Sequence, residues 1–128
     1  MAIPMRYTLD HEDNYATLVL HESRLDATTS GDFKAELLLH TRSDIEVLFI
    51  DLGEVLFCDS TGLSALLLAH REMKAIGGAT IFVGLGEQMQ ALARLTQLDR
   101  VLYIYDTREE ALADLQGDDE GDGDGDPF

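Results

Sequence analysis

Residues Val47 to Leu63 read VLFIDLGEVLFCDSTGL, and two signals in this stretch decide the fold. Val47 to Ile50 is apolar at every position and is closed by Asp51 and Gly53, the pattern of a strand covered on both faces. After the loop from Gly53 to Cys58, Asp59, Ser60 and Thr61 offer helix caps. They stand ahead of Leu63, Leu66, Leu67, Met73 and Ile76, with Gly77 and Gly78 as the stop. A buried strand running straight into an amphipathic helix predicts parallel strands joined by crossover helices.

The pattern continues in both directions. Towards the C-terminus, Ala79 to Gly84 (ATIFVG) reads as a strand, and Glu87 to Leu98 as a helix with Met89, Leu92 and Leu95 on one face. Val101 to Tyr105 (VLYIY) is the last strand, and Thr107 to Glu110 (TREE) is a capping box opening a final helix that runs to about Leu115. Towards the N-terminus, Asp26 to Gly31 (DATTSG) supplies caps for a helix from about Thr29 to His40, with Phe33, Leu37 and Leu38 on its inner face. Met5 to Leu9 and Tyr15 to Leu20 flank the turn-like His11 to Asn14, which predicts a hairpin. The order is β-β-α-β-α-β-α-β-α: an α/β fold with a mixed sheet of about five strands and about four helices.

A chain of 128 residues suits one domain, expected over residues 1–116. Its 25 acidic residues against 9 basic ones give a net charge of -16, which excludes nucleic acid as a partner because phosphate binding relies on Lys and Arg. No apolar run approaches the roughly 20 residues that cross a bilayer, so no membrane insertion is expected. Met1 to Asp10 lacks the apolar core of a signal peptide, and the single cysteine, Cys58, can form no internal disulfide. A cytoplasmic location follows as the expectation. Residues 117–128 (GDDEGDGDGDPF) hold six acids among Gly and Pro and are expected to form an acidic disordered tail. The other 116 residues still carry -10 and only two lysines, Lys34 and Lys74, which suits either a protein working at high salt or an ordinary acidic domain.

Most motifs with chemical potential are incomplete. His11-Glu12 and His21-Glu22 begin an H-E-x-x-H zinc site, but Tyr15 and Leu25 stand where its second histidine belongs. His40 near a helix end and His70 within a helix read as structural. Gly84-Leu85-Gly86 enters a helix like a dinucleotide loop, yet Met89 replaces the third glycine. The alternating Asp122, Asp124 and Asp126 lack the glycine and glutamate of a calcium loop, and Cys58 reads as a small apolar residue. Asp59-Ser60-Thr61-Gly62 remains. Either it simply caps a helix, or its hydroxyls, at the C-terminal side of a buried strand, form a functional site where amides and the positive dipole end accept an anion.

At this motif the chain resembles the STAS domain, in particular the anti-sigma factor antagonists (anti-anti-sigma factors) of bacterial partner-switching systems. The resemblance spans about residues 3–115 and rests on the hairpin, on Arg24-Leu25-Asp26, on the strand Leu48 to Asp51 (LFID), and above all on Asp59 to Leu63 (DSTGL). It implies a single STAS-like domain in which Ser60 is the phosphorylation site for an anti-sigma factor with serine kinase activity, Thr61 being a secondary candidate. Asp59, Ser60, Thr61, Gly62, Leu63 and Asp26 would form the partner-binding surface. The unmodified protein would bind the kinase, phosphorylation of Ser60 would release it, and a serine phosphatase would restore the hydroxyl. ATP, magnesium and the catalytic base would belong to the kinase, so no enzyme activity, cofactor or metal is expected of this chain. Ser23 departs from the glycine the family commonly has two residues before Leu25-Asp26, and the acidic tail is a second departure. A scaffold role within a transporter complex, with the hydroxyl never modified, is the alternative. An enzyme built on Ser60 would lack a base, since no histidine occurs between His40 and His70.

Overall fold

The computed structural model describes residues 5–42 and 44–118. The N-terminal hairpin consists of β1 (Tyr7–Glu12) and β2 (Tyr15–Leu20), antiparallel, with Leu9 opposite Leu18 and Glu12 opposite Tyr15. Two residues join them, and the first, Asp13, takes a left-handed φ of 57°, a conformation that Asp tolerates better than most side chains. The strand therefore extends past Leu9 to Glu12, using part of the stretch expected to turn. A two-residue strand β3 (Arg24–Leu25) leads to α1 (Ser30–His40), followed by β4 (Val47–Asp51) and a second short strand β5 (Phe57–Cys58). Next come α2 (Ser60–Ala75), β6 (Ala79–Val83), α3 (Glu87–Leu95), a single 3-10 turn (Leu98–Arg100), β7 (Tyr103–Tyr105) and α4 (Arg108–Asp118).

The main sheet has the order β1-β2-β4-β6-β7, with the hairpin antiparallel and the remaining pairings parallel. The two innermost strands after the hairpin are mostly apolar and enclosed: β6 is buried at all five positions, including Thr80, whose hydroxyl donates to Ala69 O at 3.1 Å, and β4 is buried at its first four, ahead of Asp51. Alternation distributes them to two faces. Ala16, Leu18, Leu48, Ile50 and Phe82 face α1, α2 and α3, while Val47, Phe49, Ile81 and Val83 face Ala111, Leu112 and Leu115 of α4. The second face is closed at its rim by Arg108, whose guanidinium lies 5.0 Å over the Phe49 ring and pairs with Glu12.

Several expectations change in detail. The loop from Gly53 to Cys58 contains β5, which pairs with β3 in a separate two-stranded parallel sheet. In α1, Phe33 and Leu37 are buried but Leu38 is 55% exposed, because the one-residue step past Leu37 carries it about 100° around the helix. In α3 the face holds Met89 and half-buried Leu92, but Leu95 is 81% exposed, and the helix ends there rather than at Leu98 because Gln97 adopts a left-handed φ of 62°. Ile76 likewise lies outside the core at the C-cap of α2, where Gly77 (φ 87°) and Gly78 donate back to Lys74 and Met73. The last strand is three residues, not five. Helix α4 runs through Asp118, two residues into the segment expected to be disordered. Residues 119–128 lie outside the described residues.

Candidate functional site

The site is assembled beyond the C-terminal edge of β4 from β3, β5 and the first turn of α2. Strand β5 is held on both sides. On one side it pairs with β3, Arg24 opposite Phe57 and Leu25 opposite Cys58, extended by Leu56 N donating to Ser23 O (2.8 Å) and Asp59 N to Leu25 O (3.3 Å). On the other, the side-chain amide of Gln88 in α3 takes the place of a third strand. Its Oε1 accepts from Cys58 N and its Nε2 donates to Cys58 O, both at 2.8 Å. The backbone that delivers Asp59 and Ser60 is thus fixed before the helix begins.

Asp59 is the N-cap of α2. Its Oδ1 accepts from Thr61 N and Gly62 N, both at 3.0 Å, and from Thr61 Oγ1 at 2.6 Å. These bonds, the Thr61 hydroxyl foremost, hold the Asp59 carboxyl below its usual range. The expectation that the helix mouth offers free amides to an anion holds only in part, because Asp59 already occupies those of Thr61 and Gly62. Ser60 is the first helical residue and is exposed, and its hydroxyl makes no hydrogen bond to another described residue. The two hydroxyls therefore differ: that of Thr61 is engaged by Asp59, and that of Ser60 has no partner among the described residues.

The remaining residues of the expected surface lie deeper. Gly62 and Leu63 are buried. A Cβ on Gly62 would overlap the carbonyl oxygen of Leu25 and stand 2.6 Å from Cys58 Sγ, so the glycine is there to let β3 approach the helix. Asp26 is 9% exposed and directs its carboxylate to its own neighbours, accepting from Thr28 Oγ1 (2.7 Å), Thr28 N (3.0 Å) and Arg24 Nε (2.8 Å). The Thr28 hydroxyl and then Arg24 push its carboxyl down to about 2. These three residues lie beneath Ser60 and Thr61, enclosed where those two are exposed. Cys58, also buried, has its thiol pushed up to about 12, mainly by burial and then by the charges of Asp59 and Asp26.

Three contributors were not among the site residues expected from the sequence. Leu56 is 75% exposed beside β5. Arg24 stacks its guanidinium 4.5 Å over the Phe57 ring. Gln88 looks like any helix-forming residue in a first turn, and only its position against β5 reveals the clamp. The histidines are structural or peripheral. His70 is buried against the Tyr103 ring, and His40 meets the Tyr7 hydroxyl, which donates to Glu36. His21 bridges Glu54 and Thr8 on open surface. Gly84 has a φ of 77° and lies against Gly53, so its turn needs glycine for conformational reasons. Among the described residues no group of three or more His, Cys, Asp or Glu could hold a metal ion, and no helix is long and apolar enough to cross a membrane.

Known proteins share this fold. A candidate anti-sigma factor antagonist of Thermotoga neapolitana is 33% identical over 66 residues, 52% of this chain and 58% of that protein. The match thus spans less than two thirds of the relative's length. An anti-sigma factor antagonist from Mycobacterium paratuberculosis has the same fold, with a TM-score of 0.76 at 21% identity over 91% of this chain and 99% of that one. The anti-sigma factor antagonist SpoIIAA of Bacillus, solved in unphosphorylated and phosphorylated forms, is also similar. The unphosphorylated form superposes with a TM-score of 0.65 at 21% identity over 88% of this chain and 99% of its own. Residues 8–111 match the profile of the STAS domain, and the chain belongs to the STAS domain family.

Proposed function

We propose that this protein is an anti-sigma factor antagonist that works by partner switching. Unmodified, it binds an anti-sigma factor with serine kinase activity and frees the regulator that factor holds; phosphorylated on Ser60, it lets go. The observation that carries this reading is the exposed, unengaged hydroxyl of Ser60 directly after the capping carboxylate of Asp59. The names borne by the relatives support the same reading.

The chemistry asks little of this chain. Ser60 Oγ attacks the γ-phosphorus of ATP held by the kinase, the bond to ADP breaks, and the hydroxyl proton passes to the kinase's base. The product carries about -1.5 to -2 charge beside Asp59. Because Asp59 already holds the amides of Thr61 and Gly62, the helix mouth cannot neutralise the added charge with them. A carboxylate or close apolar contact on the partner then becomes unfavourable, and a penalty of roughly 3 kcal/mol lowers affinity more than a hundredfold. A serine phosphatase resets the hydroxyl. The Thr61 hydroxyl is the weaker acceptor because attack would cost it the bond to Asp59.

Affinity capture from the native cell extract tests the proposal with wild-type, Ser60→Ala and Ser60→Asp baits. Wild type and Ser60→Ala should retain a kinase-type anti-sigma factor that Ser60→Asp does not, and that kinase with ATP should add one phosphate, mapped to Ser60. Retention of a transporter component by all three baits would establish the scaffold role instead, and phosphate mapped elsewhere would overturn the assignment of Ser60.

A further inference from the structure

A phosphate on Ser60 would stand in acidic surroundings. Asp59 precedes it, and Asp26 lies close enough that its charge opposes ionisation of Asp59. The adjoining strand carries a side chain of opposite sign. Arg24 lies on β3 in register with Phe57, three residues before Ser60, and its side chain is 58% exposed. Stacking on Phe57 and the bond from Nε to Asp26 Oδ2 hold the guanidinium on the outer face of the two-stranded sheet. Its two Nη nitrogens donate to no described residue. This leaves unfilled the edge of the guanidinium that binds phosphate oxygens in pairs.

Taking Ser60 as the phosphorylated residue, as proposed above, we infer that Arg24 is the positioning residue of the modified state: its free Nη edge receives the phosphate and fixes it against β3. Asp26 holds the guanidinium by Nε alone, so the pair survives while the phosphate is engaged. The phosphate then becomes a clasp between the start of α2 and β3, in place of a charge that only repels its neighbours. Arg24 thereby sets both the orientation in which the phosphate is displayed and the pH at which it takes its second charge.

The test uses full-length protein with phosphoserine installed at position 60 during synthesis, so that it does not depend on any kinase. The second ionisation of the phosphate is followed by phosphorus NMR across pH 4 to 8. In the otherwise wild-type protein it should fall at lower pH than in Arg24→Gln, by about half a unit or more, with Arg24→Lys between them; 0.5 M NaCl should narrow the gap. Asp26→Asn separates loss of the Arg24–Asp26 pair from loss of the phosphate contact, and its phosphate should titrate at or below the wild-type pH. Superimposable curves for wild type and Arg24→Gln, or an Asp26→Asn curve that follows Arg24→Gln, would overturn the role of Arg24 while leaving Ser60 as the acceptor. Failure of the kinase to modify Ser60 would overturn the switching function while leaving this titration intact.

Discussion

The five-stranded sheet and the two-stranded sheet beside it are held by different forces. The larger one is made by burial, with β4 and β6 apolar on both faces and Phe49, Phe82 and Ile50 fully enclosed. The smaller one pairs two residues with two, buries only Leu25 and Cys58, and adds single specific devices: the Gln88 clamp, the Asp26 and Asp59 carboxylates, and one glycine where nothing larger fits. Stability is concentrated in the first and the candidate site in the second. Shape in this molecule therefore rests on an extended apolar core in the larger sheet, and on a few specific contacts where the serine is displayed.

Substitutions can separate the two. Phe82→Ala strikes the larger sheet and should cost about 3 to 5 kcal/mol, seen as a lower urea midpoint with every region unfolding together. A loss below about 1 kcal/mol would mean that the burial-based half of the contrast is wrong. Gln88→Ala deprives the Cys58 N–H and carbonyl of their partner and should cost about 1 to 3 kcal/mol. Amide exchange should quicken around residues 57–63 and stay slow in β4 and β6; a uniform change would show that the two sheets open as one unit.

The smallest effect is a pH dependence carried by Asp26. Its folded carboxyl titrates at about 2 against an ordinary 3.8, so between those values the unfolded chain binds more protons. The stability it contributes is complete above about pH 4 and is lost as pH falls towards 2. Asp26→Asn should therefore lower the melting temperature at neutral pH and flatten its decline between pH 4 and 2. A variant whose melting curve runs parallel to wild type through that window would show that the carboxylate does not brace the smaller sheet.

The same contrast explains what could be read from the sequence. Val47 to Ile50, Ala79 to Val83 and the helix beginning after Asp59 announce themselves by apolar runs and periodicity, and their order alone specifies the α/β layering. Strands β3 and β5 carry no such signal, because two residues are too few to show alternation and neither sheet face recurs. The DSTG motif was visible, but the labour within it was not. Three adjacent potential caps gave no means to tell that Asp59 would take the amides and leave the Ser60 hydroxyl free. Gly62, Leu63 and Asp26 drew attention with their neighbours, yet their burial depends on how closely β3 approaches α2, a distance that no local pattern encodes. Leu38 and Leu95 erred in the opposite direction: periodicity placed both inward, and partners were lacking on that side.

Cys58 lies between the Gln88 clamp and the start of α2, with its sulfur sealed and its proton held to about pH 12. Peroxides and disulfides react with thiolate, and at cellular pH this thiol supplies almost none. The residue directly before the Asp59-Ser60 pair is thus guarded against oxidation in two ways, by the enclosure of its sulfur and by the proton it retains.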